Sequence, residues 1–586
     1  MKSLKSIFSF FNKKKKNKEA KKNRIKIKYL SRVLSKQEKI IVLGLLIFST
    51  ISLSWILFKV YADHVDIKPD HGGQLIEGMV GEPQYINPLL SSANDIDMDI
   101  SSIVFSGLMK YNLNQELVPD IAESYEVSED NKEYTFKIRQ DIKWHDGESL
   151  SADDIVFTVQ TIKNPDYQSS YLPNFENITI EKIDDHTIKF TLTGEALSPF
   201  IKENTTFGII PKHIWQEISP NKSLLSNYNL NPIGSGPYQF KEFKKDKRNG
   251  MMVSYSLERN KNFYDGSPYI DNIIFKFYND YPELINALNK EDIDNISFIP
   301  SEELDNIKSD IKENIFFYNL KLPRYYALFF NQPKNELLGN KELRQALAYG
   351  TNKQEIIDKV FGGQGVKIDS PILNNFLDYN PEIKKYEFNK EKANKLLHNA
   401  GYDEINENGI RQKGDKKLEL IITTTNQKEF SELAQMLKDQ WKEIGIDVKI
   451  ESLDPTELQT DYLRPRNYQI LLYGQLLGHD PDPYPFWHSS QRSNPGLNLT
   501  SFKDNTADDL LETARKNNIE EERKTKYIHF QNIIAEELPA LFICSPTYPY
   551  GLNKKIRGVE LDFITVPSDR FTNIKNWFIE INRRWK

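Results

Sequence analysis

The chain has 586 residues, 39% of them hydrophobic and 12% aromatic, with a formal net charge of -6 at pH 7. That length exceeds a single hydrophobic core and points to two or three domains, and the composition excludes a disordered chain. The lone cysteine, Cys544, excludes an intrachain disulfide and a cysteine-based zinc cluster; within Ala540-Leu541-Phe542-Ile543-Cys544 it reads as a buried strand thiol.

Charge is divided unevenly. The first 39 residues carry 15 Lys/Arg against 2 Asp/Glu, whereas the remaining 547 carry 62 against 81. A basic tail on an acidic body suits anionic lipid at one end and argues against nucleic acid as a partner of the body. The 19 residues Ile40 to Phe58 then hold no charge, long enough as a helix to cross a bilayer core of ~30 Å. Lysines and arginines precede this span, so the positive-inside rule puts residues 1–39 in the cytoplasm, a transmembrane helix at 40–60, and everything beyond outside the cell. The expected location is the cell membrane, single-pass, with the span left uncleaved because no small-x-small site follows it. Residues 61–71 read as a polar linker, followed by a strand from Gln74 to Gly78 and a helix from Asp97 to Leu108.

The stretch from Pro119 to Val159 carries the densest local signal. Tyr134, Phe136 and Ile138 alternate with polar residues at the period of a half-buried strand, and Ile142 and Trp144 continue that alternation. Asp146-Gly147 makes a turn, and Ser151 caps a helix with Ile155, Val159 and Ile162 on one face. The segments Pro119-Asp120-Ile121-Ala122-Glu123-Ser124-Tyr125, Tyr134-Thr135-Phe136, Lys143-Trp144-His145-Asp146-Gly147 and Ser151-Ala152-Asp153-Asp154-Ile155-Val156 together resemble the signature of the extracytoplasmic solute-binding proteins of ABC importers, family 5, the oligopeptide, dipeptide and nickel type.

Downstream, residues 178–192 alternate on either side of Asp184-Asp185 as a hairpin. Gly234-Ser235-Gly236-Pro237-Tyr238 resembles the family's crossover from its second domain back to the first, and Asn260-Lys261-Asn262-Phe263-Tyr264-Asp265-Gly266 with a strand from Ile270 to Tyr278 also resembles the family. Pro323 to Asn331 carries the chain into a further domain. A helix is expected from about Asn340 to Gly362-Gly363, and another from an Asn389 cap to Gly401. Strand Leu418 to Thr424, helix Glu429 to Ile444 and strand Ile446 to Ile450 form a βαβ unit, and a last helix spans Glu521 to Glu537.

The resemblance implies an α/β, periplasmic-binding-protein-like fold of type II, in its large three-domain class: two lobes and a hinge cleft, preceded here by the transmembrane helix. Domain I would comprise 72–112, 236–325 and 545–586, domain II 113–235, and domain III 326–544. It implies capture of a small solute, foremost an oligopeptide, and delivery to ABC permease and ATPase subunits by a monomer. No enzyme activity, metal or other cofactor is expected. The sequence has no G-x-S-x-G elbow, H-E-x-x-H, P-loop or G-x-G-x-x-G.

The strongest ligand-binding candidate is the loop Tyr473 to Trp487, in which prolines would hold Asp480, Asp482, Tyr484 and Trp487 in place before a ligand arrives. Tyr473, Gly474 and His479 belong to the same stretch, and Tyr325 and Asn331 lie at the domain crossover. In peptide-binding relatives this loop carries an aspartate that pairs with the ligand's α-amino group. Aligning Asp482-Pro483 places His479 there, with Asp480 one residue on, so either Asp480 substitutes or the ligand lacks a free amine. On this reading Asp480→Asn and Trp487→Ala weaken capture without unfolding the lobe. Two other classes remain open: a secreted, membrane-anchored hydrolase using Asp480 and Asp482 as acid and base, and a ligand-binding sensor that does not transport.

Overall fold

A 14-residue strand, Ala540–Asn553, is the longest among the described residues and joins the two largest groups of strands. The computed structural model describes residues 35–585 except 168, 194–203, 375, 377, 495 and 518. Most of the basic tail therefore lies outside the described residues.

The described residues form two compact units. In the smaller, residues up to 68 with 581–585, a single helix runs from Lys36 to His64. Its 29 residues give a length of ~43 Å at helical rise. Ile40, Leu43, Leu46, Phe48 and Trp55 are all more than half exposed, so no protein interior in the structure accounts for their apolarity. The helix continues beyond the 40–60 expected from composition, and Val65–Pro69, expected to be linker, is a strand paired with Ile581–Trp585.

In the larger unit, Gln74–Val80 lies parallel to Asn272–Tyr278, which is followed outward by the antiparallel strands Met252–Arg259 and Tyr238–Lys245. On its other side comes Asn295–Ile296, then the far end of Ala540–Asn553. The near end of that long strand pairs with Arg324–Phe330, and the order continues through Ile470–Leu476 and Glu419–Thr425 to Asp447–Leu453. The last two strands are parallel and joined by helix Lys428–Lys442, the expected βαβ unit, closed by Gly445 at φ +86°. Cys544 is fully buried in the long strand.

A separate four-stranded antiparallel sheet contains Ala122–Val127, Glu133–Ile138, Thr187–Leu192 and Ile178–Asp184. Its alternation is as read from sequence: Tyr134, Phe136, Ile138, Ile188 and Phe190 are buried. Helix Ala152–Lys163 starts at a capping box, with the Asp154 carboxylate accepting the Ser151 N–H and Ile155, Val159 and Ile162 wholly buried beneath it.

Three local expectations change. Ile142 and Trp144 are buried outside any strand, held by an isolated bridge between Lys143 and Ser149. The helix expected from 97 to 108 runs from Asp95 to Val104, because Asn94 accepts the Ile96 N–H and starts it earlier. The long helix after Asn340 is two helices, Lys341–Tyr349 and Lys353–Val360. Asn352 caps the second afresh, and Gly350 lets the Ile444 side chain pack against the break.

The Gly234-Ser235-Gly236 crossover is fixed by close approach and by one histidine. A Cβ on Gly234 would sit 2.0 Å from the Val104 carbonyl oxygen, so no other residue fits without backbone movement. His145 Nε2 donates to the Gly236 carbonyl at 3.1 Å and Nδ1 accepts the Gly234 N–H at 3.2 Å, which requires the neutral ring. Burial pushes its pKa down to about 4 from 6.5. Since the unfolded ring takes up its proton first, the stabilisation is complete above pH 6.5 and is lost as pH falls toward 4. We expect up to about 3 kcal/mol of acid-dependent loss from this group. Urea titrations at several pH values check it: the slope of stability between pH 6.5 and 4 should be shallower in His145→Gln, and an unaltered slope would assign the acid sensitivity elsewhere.

Candidate functional site

A cavity in the larger unit has a volume of about 650 Å³, within the range of roughly 300–1,000 Å³ typical of small-ligand sites. It is assembled from segments far apart in sequence. Helix Asp95–Val104 contributes Ser101 and Ser102, and the chain then runs along the wall through Ser106 and Gly107 into strand Met109–Tyr111. Thr206 to Gly208 close a second side, Phe263 and Asp265 a third, and Val566 to Lys575 a fourth. Gly478 and His479 enter from the end of the acidic loop.

Chemically the wall is mixed. Six serines, at 91, 92, 101, 102, 106 and 568, offer hydroxyls that both donate and accept. Phe105, Phe207, Phe263 and Phe571 supply apolar surface. Tyr111 and His479 stack face to face, with ring centroids 3.8 Å apart and planes within 7°. Burial pushes the His479 pKa down, opposed by the nearby Asp569 charge, so the ring is neutral at pH 7. Lys110 lies 3.0 Å from Asp120 and 2.9 Å from Asp265, Lys575 lies 2.6 Å from Asp265, and Tyr264 donates to Asp120 at 2.8 Å.

Behind the Val566–Lys575 wall sits a fully buried ion cluster. Arg570 donates to both oxygens of Asp99 at 2.6 Å and to Glu77 at 2.7 Å, while Tyr550 donates to the other Glu77 oxygen at 2.9 Å. Two carboxylates hold the guanidinium charged, and burial pushes Asp99 up to about 6. This cluster ties the cavity-lining turn Pro567–Phe571 to strand Gln74–Val80 and helix Asp95–Val104.

Of the nine expected ligand-binding residues, only His479 lines this cavity. Asp480 is buried with both oxygens engaged by Arg523, one at 2.8 Å, and it also accepts the Asp482 N–H. Asp482 lies 3.1 Å from Arg515 and accepts from Tyr527 at 3.2 Å. Tyr484 stacks on His488 and has the Arg515 guanidinium over its ring, and Trp487 packs in the interior against Phe530 and Phe542. Tyr325 is fully buried and donates to Gln475; Asn331 is fixed by the carbonyls of Arg466 and Tyr468. Tyr473 is half-buried beside Phe430, and Gly474 packs so closely on the Tyr326 ring that a Cβ would lie 2.9 Å from it.

The loop's prolines and carboxylates thus form a bracket pinned to helices Asn505–Arg515 and Glu520–Glu537, and what it presents to the cavity is Gly478 and His479. Tyr111, Lys110, Asp569 and Arg570 were not singled out from the sequence. No distinguishing local pattern marks them: Ser568-Asp569-Arg570 sits in a return segment that also carries Lys554, Arg557, Glu560, Asp562 and Lys575. Among the described residues no group of three or more His, Cys, Asp or Glu could hold a metal ion.

Comparison with known proteins bears on what fills the cavity. The family described as bacterial extracellular solute-binding proteins, family 5 Middle, matches residues 116–497. The oligopeptide-binding protein AppA of Bacillus subtilis is 30% identical over 525 residues, covering 87% of this chain and 92% of AppA. The solved structure of that AppA with a nonapeptide has a TM-score of 0.66 at 28% identity, covering 88% of this chain and 100% of AppA. NikZ of Campylobacter jejuni, solved with Ni(L-His), has a TM-score of 0.67 at 29% identity, covering 86% of this chain and 99% of NikZ.

Proposed function

This chain belongs to family 5 of the bacterial extracellular solute-binding proteins, and from that premise we propose that it captures a short peptide in the serine-lined cavity and delivers it to an ABC importer. The observation that carries the reading is the cavity itself: about 650 Å³, with hydroxyls and aromatic faces but little uncompensated charge. Hydroxyls satisfy the donors and acceptors of a peptide main chain whatever its side chains, so binding can tolerate sequence. The AppA relative, named and solved as an oligopeptide binder, supports the same ligand class.

The proposed domain division is 72–112 with 236–325 and 545–586, then 113–235, then 326–544. Each contributes to the wall: Ser101 to Tyr111 from the first, Tyr171 and Phe207 from the second, His479 from the third. Closure of these parts over the solute would select the liganded form, and that form would dock on the permease. The apolar helix Lys36–His64 serves as the tether, amino terminus inside and the rest outside, and the chain acts as a monomer.

Mass spectrometry of solute released on denaturing the gently purified full chain tests the proposal. Peptides are expected; a consistent non-peptide solute would overturn the ligand class. We also expect Tyr111→Ala to weaken capture about three- to tenfold, the worth of one aromatic pair. Isothermal titration of the identified ligand measures this, and unchanged affinity would remove the stack from the site.

A further inference from the structure

The polar end of the apolar helix does not lead into a free linker. Helix Lys36–His64 passes directly into strand Val65–Pro69, and that strand pairs with Ile581–Trp585, brought back from the far end of the sequence. Just beyond the strands the approach is close: a Cβ on Gly73 would meet Ile579 at 3.1 Å, one on Gly72 would meet Glu580 at 2.8 Å, and the Asp70 N–H donates to the Glu580 carbonyl at 3.0 Å. Partners rise along one segment as they fall along the other. The two strands are therefore antiparallel, and the second advances toward the helix as the first leaves it.

Charge and stability both ask what this ribbon lies on. Ile581 to Lys586 holds Arg583, Arg584 and Lys586 with no acidic residue, whereas residues 40–580 hold 59 Lys/Arg against 81 Asp/Glu. The pair joins no third strand among the described residues, and a two-stranded sheet alone is at best marginally stable in water. Alternation at period two puts Val65 and Ile67 on one face of the first strand and Ile581, Arg583 and Trp585 on one face of the second; the Asp70–Glu580 register, carried forward, sets those faces side by side. An apolar face bearing tryptophan and arginine has the composition of a membrane interface. The distance agrees. Lys59 to His64 add ~9 Å of helix beyond the charge-free span, and headgroups occupy about 5–7 Å beyond the hydrocarbon.

Resting on the reading of that helix as a tether, we propose that the strand pair is a second, lipid-binding site. It lies on the outer surface of the cell membrane, with Arg583 and Arg584 on the phosphates of anionic phospholipid and Trp585 at headgroup depth. The planar guanidinium suits a phosphate through two parallel hydrogen bonds, and the strand supplies positive charge that the acidic body lacks.

The test uses the full chain in lipid nanodiscs, one set of phosphatidylcholine and one of phosphatidylcholine with phosphatidylglycerol at about 3:1, each with a trace of headgroup spin-labelled phosphatidylcholine. A fluorophore on Asn582→Cys reports approach to the headgroups, since Cys544 is fully buried and stays unlabelled. Quenching should be at least about threefold stronger in the anionic discs and fall to the neutral-disc level in about 1 M salt, where the Debye length is about 3 Å. Arg583→Gln with Arg584→Gln should remove the difference between the discs. Arg583→Lys with Arg584→Lys should keep most of it, because charge rather than strand pairing carries the effect; thermal melting checks that both double variants fold. Equal quenching in both discs, or a difference that survives the glutamine pair, overturns the lipid site while the tether stands. Failure of the chain to enter discs of either kind overturns the tether and the lipid site with it.

Discussion

Arg570→Leu should destabilise the chain by about 3–5 kcal/mol at pH 7, the cost of breaking a buried ion cluster from one side. The guanidinium is wholly buried against Asp99, Glu77 and the Pro567 carbonyl, and without it two carboxylates remain in an apolar interior. Asp99, already raised by burial, would lose the guanidinium charge that opposes the rise and titrate higher still. A raised folded pKa contributes stability that is present at low pH and lost as pH rises, so the deficit of the variant should shrink as pH falls from 7 to 5. Urea midpoints at the two pH values measure this. Combining Arg570→Leu with Glu77→Gln and Asp99→Asn should recover much of the loss, since no uncompensated charge is then buried. A single variant as stable as wild type at pH 7 would mean the cluster is not what holds the Val566–Lys575 wall.

Asp480→Asn should likewise cost about 3 kcal/mol or more, because Arg523 loses the carboxylate that engages it while staying buried. This reverses the expectation drawn from sequence, in which the same substitution weakened capture with the lobe intact. Asp482 and Asp378 are near enough to offset part of the lost charge, which sets the figure at the low end of the range for a broken pair. Trp487→Ala is a packing loss of about 3–5 kcal/mol, for the indole lies in the interior against two phenylalanines. The distinguishing measurement is denaturation alongside ligand titration. Lowered stability with unaltered affinity of the folded fraction fits a bracket; lowered affinity at unaltered stability would restore the loop to the ligand surface.

The contrast between these loops and the rest of the chain shows where sequence reading works. The strand at Tyr134 to Ile138, the Ser151 cap, the hairpin at 178–192 and the βαβ unit at 418–450 were legible because their determinants are local: period, cap and turn residue. The broken helix at Gly350 failed for a local reason too, a glycine whose packing partner, Ile444, is distant. Of the cavity, only His479 was legible. Arg570 meets Asp99 across 471 positions, and Tyr111 finds His479 only once the strands have assembled. Likewise nothing near Asp480 in sequence shows that its cation arrives 43 residues later on a helix. A carboxylate in a proline-rich loop looks available until that partner is placed.

Solute capture in the serine-lined cavity can be tested most directly by filling it. Ser102 lines the cavity from an exposed position on helix Asp95–Val104, so Ser102→Trp occupies the space without disturbing the buried face. Native mass spectrometry of the full chain should show solute bound to the wild type and at least about tenfold less on the variant, at an unchanged melting temperature. Equal solute on both proteins would place the binding site elsewhere.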